Sequence, residues 1–216
     1  MSTTMQSNVE TRSGVSDRWA DDFEGQIERE WLITNGRGGY ASGTVLGMPT
    51  RRYHGLLVAA ARPPLERWLL LSAVLERVGV SGRHHELANF EFDRTVHPQG
   101  YRYLRDFAVS NNRPAPWVRF TYEHDGVRLT KQLVLPRGGD EVSIRYRVEG
   151  PPGEPLSLDL CPLLAMRDFH ALTRAFEGTY AINEIREYVT VDAFREGPRL
   201  WLSAQRSDDG SPVAFQ

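Results

Sequence analysis

The sequence predicts an all-β fold, a large antiparallel two-sheet sandwich with one or two short helices, and three observations carry that prediction. Apolar and polar residues alternate over short runs, as where Val142, Ile144, Tyr146 and Val148 interleave with Ser143, Arg145 and Arg147. This is the period of a strand with one face in a core and one in water. Asp125-Gly126 separates two further runs, 117–123 and 127–135, and supplies the positive φ values that a tight hairpin turn needs. Turns rich in Gly, Pro and Asp punctuate the rest of the chain at short intervals, the spacing of a sandwich.

Taken in order, residues 1–25 are polar and lack the apolar segment of a secretory signal, so a disordered leader is expected ahead of one sandwich domain at 26–216. Residues 19–26 are acidic and aromatic with weak helical spacing and predict a short element at most. Residues 30–34 predict a strand, and 41–46, with Thr44 and Val45, its continuation beyond a glycine-rich turn. The apolar run 56–61 predicts a buried strand. Across 67–80 the chain ends in the alternation Val74, Glu76, Val78, Val80 before a Ser81-Gly82 turn, and helix competes with strand for 69–75. Tyr101, Tyr103, Arg105 and Phe107 alternate with Arg102, Leu104 and Asp106 as a strand of mixed faces. In the second arm of the Asp-Gly hairpin Val127, Leu129, Leu133 and Leu135 share one face, with Lys131 the exception. Pro151-Pro152-Gly153 ends the 142–148 strand, and Leu156, Leu158 and Leu160 repeat its period, so these two runs are expected to pair across the proline loop. A short helix is expected at 167–176, and further strands at 188–191 and 200–204.

The chain has 216 residues, 40% of them hydrophobic, and five tryptophans, enough for one substantial core. A formal charge of −2 gives no electrostatic case for nucleic acid or an anionic membrane as partner. A single cysteine, Cys161, excludes an intrachain disulfide and fits a reducing cytoplasm, and no run reaches the length of a membrane span. The expectation is a soluble cytoplasmic protein without a cofactor.

The densest set of special-purpose residues lies at 30–61. Gly36, Gly38, Gly39, Gly43 and Gly47 argue against a long helix and for backbone that turns sharply or approaches another group. Arg51, Arg52, Tyr53 and His54 then precede the apolar run, where a buried strand can present them to a ligand. Gly36, Gly38 and Ala41 have the spacing of a dinucleotide-binding loop, but Ser42, Gly43, Thr44, Val45, Gly47 and Pro49 are poor material for the helix that such a loop requires. Tight turns and close sheet packing explain these glycines better.

With Trp31, Thr34-Asn35-Gly36, Gly38-Gly39-Tyr40-Ala41-Ser42-Gly43 and Thr50-Arg51-Arg52-Tyr53-His54-Gly55-Leu56-Leu57-Val58-Ala59, this stretch resembles the N-terminal domain of bacterial and archaeal glycogen debranching enzymes of the amylo-α-1,6-glucosidase type. The resemblance continues through Pro63-Pro64, Leu70-Leu71-Ser72, Asn89, Phe92, Pro162-Leu163-Leu164, Arg167-Asp168 and His170. It implies a galactose-mutarotase-like supersandwich and a noncatalytic role. In that family a separate C-terminal barrel of paired helices carries the chemistry, so the implied partners are that domain and α-glucan. Two alternatives stand beside it, a self-sufficient α-glucan-binding module and a sugar mutarotase-like enzyme.

The candidate substrate-binding or interdomain residues are Asn35, Tyr40, Arg51, Arg52, Tyr53, His54, Arg167, Asp168 and His170. Guanidinium forks and imidazoles offer directed donors to sugar hydroxyls, and a tyrosine ring can stack on a pyranose face. The plainer alternative pairs one arginine with a carboxylate and leaves His54 a satisfied core residue, and for Arg167 and Asp168 a buried ion pair. His84, His85, His97 and His124 form no recognised metal spacing with Cys161 and are expected at the surface. No Gly-x-Ser-x-Gly elbow occurs. Trp68, Trp117 and Trp201 are expected in the core rather than as sugar platforms. Glycoside hydrolysis needs two carboxyl groups across the scissile bond, and 28 scattered acidic residues single out no pair.

Overall fold

The computed structural model describes residues 11–13, 22–63, 65–112, 114–173, 180–192, 197–206 and 208–213. It is an all-β sandwich with a short helix α1 (Phe23–Ile27), whose N-terminus Asp22 caps through Oδ1 to the Gly25 amide at 3.2 Å. One sheet orders β1 (Thr11–Ser13), β9 (Leu104–Ser110), β10 (Trp117–His124), β11 (Val127–Val134) and β12 (Ser143–Glu149), neighbours pairing antiparallel. The other orders β13 (Leu156–Asp168), β5 (Glu66–Val80), β4 (Gly55–Arg62), β3 (Tyr40–Thr44) and β2 (Glu30–Thr34), with β6 (Arg83–Glu86) also on β5. A three-stranded sheet of β14 (Ala181–Ile185), β15 (Tyr188–Asp192) and β16 (Arg199–Leu202) and a hairpin of β7 (Asn89–Phe92) and β8 (Thr95–Gln99) complete it.

The core lies between the two large sheets. Trp31, Ile33, Leu57 and Leu71 from one meet Leu104, Phe107, Val118, Phe120, Leu129 and Leu133 from the other. The Trp31 and Phe120 rings meet edge to face at 6.3 Å. Gly43 lies under the Trp31 indole, where an added Cβ would stand 3.2 Å from the ring, so the close packing expected of this glycine is what it provides.

β5 is the longest strand, and helix loses to it at 69–75. It is flanked from Trp68 to Val80 by β13 on one edge, and on the other β4 pairs with its first half up to Leu71 and β6 with its end from Arg77 to Val80. Two inward positions carry charge. Glu76 on β5 and Lys131 on β11 are each buried, and they meet across the core with Lys131 Nζ 2.6 Å from Glu76 Oε1. The Tyr146 hydroxyl of β12 donates to the same oxygen at 2.7 Å. Burial and the Glu76 charge together push the Tyr146 phenol, and that of nearby Tyr122, well above the ordinary tyrosine value.

Four expectations of the fold are corrected. The runs at 142–148 and 156–160 do not pair, since β12 closes the edge of one sheet on β11 while β13 crosses to β5 in the other. Alternation fixes the face that a strand buries but not its neighbour. Arg167 and Asp168 finish β13 rather than open a helix, and 169–173 are turn and irregular chain; 174–176 lie outside the described residues. The predicted strand through Tyr101 and Tyr103 starts only at Leu104, after a 3-10 turn at Gly100–Tyr103. Trp68 and Trp117 are partly buried and Trp201 is half exposed, while among the described residues the fully buried tryptophan is Trp31. Among the described residues no helix is long and apolar enough to cross a membrane.

Candidate functional site

The β2–β3 turn and the β3–β4 loop bring most of the predicted residues to one end of the six-stranded sheet. Gly36 and Gly38 adopt φ of 79° and 101°, conformations that favour glycine, and close an antiparallel hairpin. No parallel strand precedes them and no helix follows, so the nucleotide-loop spacing is incidental. Asn35 is 2% exposed and serves the turn itself: its Oδ1 accepts from the Arg37 and Gly39 amides. The Tyr40 and Ser42 hydroxyls both donate to the Tyr53 carbonyl, at 3.1 and 3.2 Å, which fixes the loop ahead of β4. Burial raises the Tyr40 phenol above its ordinary value, against the opposing pull of Arg67.

Arg51 and His54 both reach Glu30, Arg51 from an exposed position and His54 from a buried one. Arg51 pairs through Nε with Glu30, and the buried His54 accepts from the Thr50 amide at Nδ1 (3.1 Å) with Nε2 3.5 Å from Glu30 Oε1. Because Nδ1 accepts, the neutral ring carries its proton on Nε2, facing the carboxylate. Burial lowers the His54 pKa below 6.5, outweighing Glu30, which raises it. Below pH 6.5 the unfolded chain therefore binds more protons than the folded one. The stabilisation is complete above that value and is lost as pH falls through the lower folded pKa. Melting temperature is expected to drop as pH falls below about 6.5, with a shallower slope in His54→Gln; equal slopes would place the titrating group elsewhere.

Arg52 and Tyr53 turn outward and meet the end of β13, 115 or more residues away in sequence. A bulge makes this possible. Between the pairs Leu164↔Leu71 and Arg167↔Leu69 the register shifts, and Met166 sits at φ 44°, which is uncommon for a residue with a side chain. The bulge re-aims Arg167, whose Nη1 donates to the carbonyls of Asp168, Phe169 and Ala171 and whose Nη2 donates to Arg52 O at 2.6 Å. This replaces the expected Arg167–Asp168 ion pair: the guanidinium is committed to carbonyls, and Asp168 Oδ1 accepts from the His170 amide at 2.8 Å.

The result is a ledge open to solvent. Tyr53 is 38% exposed; its hydroxyl lies 3.2 Å from His170 Nδ1, and its ring lies 5.4 Å from Phe169. Arg52 lies over the Tyr53 ring at 5.7 Å and donates to His170 O, while Arg67 lies over Phe169 at 5.5 Å. Rings and guanidiniums at one rim can stack on a sugar face or anchor a second protein surface. The nearby acids are already engaged: Glu30 with Arg51, Glu66 with Arg62 and Trp68, and Asp168 with the backbone.

A second cluster went unforeseen. His85 on β6 and His124 at the tip of β10 are half-buried rather than surface histidines, with ring centroids 4.3 Å apart, and Asp125 joins them. Burial, followed by His124, lowers the His85 pKa. The residues come from different sheets, so no short spacing could announce them; the signal present was only His-Asp at the hairpin turn.

A family model for the N-terminal region of glycogen debranching enzyme matches residues 29–214. No curated protein and no solved structure matches significantly. Since the match spans most of the chain, including both segments of the ledge, the chain belongs to the family of glycogen debranching enzyme N-terminal domains.

Proposed function

We propose that this chain is the noncatalytic N-terminal domain of a glycogen debranching enzyme that hydrolyses α-1,6 branch linkages, and that its ledge packs on a helical catalytic domain and helps shape the glucan site. The observation that carries this reading is the convergence of 51–54 and 167–170 on one solvent-open rim of rings and guanidiniums. The engagement of Glu30, Glu66 and Asp168 supports the noncatalytic part, because a glycosidase needs a free acid and a free base or nucleophile. Ile182, Ile185, Tyr188 and Trp201 remain exposed on the three-stranded sheet, which suits a chain that docks against further protein.

The isolated chain is expected to release no glucose from a branched dextrin. In the full-length enzyme Tyr53→Ala is expected to lower kcat/KM on that substrate about tenfold, roughly 1.4 kcal/mol, with only a small fall in melting temperature because the ring lies at the solvent-open rim. Glucose release by the isolated chain would overturn the noncatalytic reading, and an unchanged kcat/KM would remove Tyr53 from the site. The exposed Tyr53 ring beside Arg52 also favours a second reading, a self-sufficient α-glucan-binding module. Retardation of the isolated chain in a glycogen gel, lost in Tyr53→Ala, would select it. The meeting of a histidine and a carboxylate that a mutarotase-like reading requires occurs at His85 and Asp125, but a second imidazole crowds it and Arg83 holds the carboxylate at 3.0 Å.

A further inference from the structure

We propose that His85, His124 and Asp125 bind a divalent transition-metal ion of the Zn2+ class, which clips β6 of the six-stranded sheet to the β10–β11 hairpin of the five-stranded sheet. The three residues each offer one donor atom, and these lie within 4.8 Å of one another. Two imidazoles and one carboxylate are a donor set that suits Zn2+ and its neighbours rather than Mg2+ or Ca2+, which prefer oxygen alone.

His85 supplies the most direct sign of an unused ligand. Its Nε2 is buried and makes no hydrogen bond, although it lies 3.4 Å from Asp125 Oδ2. The Asp125 contact is long for a hydrogen bond, and a metal bond would satisfy this buried ring nitrogen more fully. His124 Nε2 lies 3.5 Å from the other oxygen, Asp125 Oδ1. Arg83 contacts Oδ2 at 3.0 Å and would orient the ligating carboxylate from outside, as outer partners of metal ligands do. The Tyr103 ring packs 4.4 Å from His124 and closes one side. An adjoining cleft of about 440 Å³, lined in part by His84, His85, Gln99 and Tyr103, leaves solvent access for a remaining coordination position.

Tetrahedral bonds of about 2.0–2.1 Å bring donors to roughly 3.4 Å from one another, so the widest pair of the trio must close by up to about 1.4 Å. The hairpin tip can move that far: Asp125, at φ 50°, and Gly126 are exposed turn residues. The site is independent of the ledge. Trp68 of β5 pairs with Asp168 at one end and Val78 with His85 at the other, a separation of roughly 33 Å at strand rise.

The test is titration of the untagged full chain with Zn2+ against a chromophoric chelator, with Co2+ absorption as a second readout. One equivalent is expected to bind with micromolar or tighter Kd, to raise the melting temperature as mass action requires, and to give a Co2+ visible band of tetrahedral strength. His124→Ala and Asp125→Asn should each weaken binding by at least about 100-fold, while His97→Ala, altering an exposed histidine outside the site and its cleft, should leave it unchanged. Both substitutions lie at a hairpin tip, and melting of the metal-free variants reports whether they fold; His85→Ala provides a third ligand deletion from the opposite sheet. Binding no tighter than millimolar, or affinity retained in the His124 and His85 variants alike, overturns the proposal.

Discussion

Replacing Lys131 by Met is expected to destabilise the chain by roughly 3–5 kcal/mol, because it leaves the Glu76 carboxylate charged and buried with one hydroxyl for company. For a chain of this size that lowers the melting temperature by roughly 6–20 °C. The loss does not measure what the ion pair contributes. Bringing both charges out of water costs several kcal/mol per ion, and their attraction inside the core offsets little more than that cost. The triple change Glu76→Leu, Lys131→Met and Tyr146→Phe removes the pair together with the hydroxyl that serves it, and is expected to melt near or above the parent. Thermal unfolding of the two variants separates these cases. If Lys131→Met alone melts within about 2 °C of the parent, water reaches Glu76 and the core between β5 and β11 is not dry.

The same pair shows what was legible in the sequence. Lys131 stands out as a charge at an inward position of β11, and Glu76 occupies an equivalent position between Val74 and Val78, yet neither predicts the other. Their contact depends on how two sheets face each other, which alternation along a strand does not encode. For the same reason the 117–124 and 127–134 hairpin is legible, since an Asp-Gly turn specifies its neighbour locally, whereas the sheet change between β12 and β13 is not. The helix expected at 167–176 fails because its polar residues serve a bulge and a turn: Arg167 and Asp168 make the local contacts to backbone that a helix would have used. Each half of the ledge was visible as a polar cluster. Their meeting was not, because it rests on the Met166 bulge, which leaves no mark in composition or period. His85 and His124, 39 positions apart on opposing sheets, were out of reach for the same reason.

Asn35→Ala is expected to cost roughly 2–5 kcal/mol, about as much as the loss of Lys131, although it removes no charge and little apolar surface. The side chain joins two segments directly and a third through Asp140. Oδ1 accepts from the Arg37 and Gly39 amides at 2.8 and 3.0 Å, and Nδ2 donates to Gly139 O at 2.8 Å and to Asp140 Oδ1 at 3.1 Å. Asp140 Oδ1 in turn accepts from the Ala60 amide of β4, so one amide ties the β2–β3 turn to the β11–β12 loop of the other sheet. Truncation leaves the buried Gly39 amide without its acceptor and the Gly139 carbonyl without its donor, at about 1–3 kcal/mol each. Asn35→Asp discriminates better. It keeps the acceptor half but sets a second carboxylate oxygen against Asp140 Oδ1 and Gly139 O, so at neutral pH it is expected to be at least as damaging as Ala despite its matching shape. Adding Asp140→Asn returns a donor to that contact and should recover part of the loss, a coupling that denaturant unfolding of the four species would measure. If Asn35→Asp instead unfolds with the parent, the two loops do not depend on this amide, and the ledge beyond it takes its position from Tyr40, Ser42 and the Arg167–Arg52 contact.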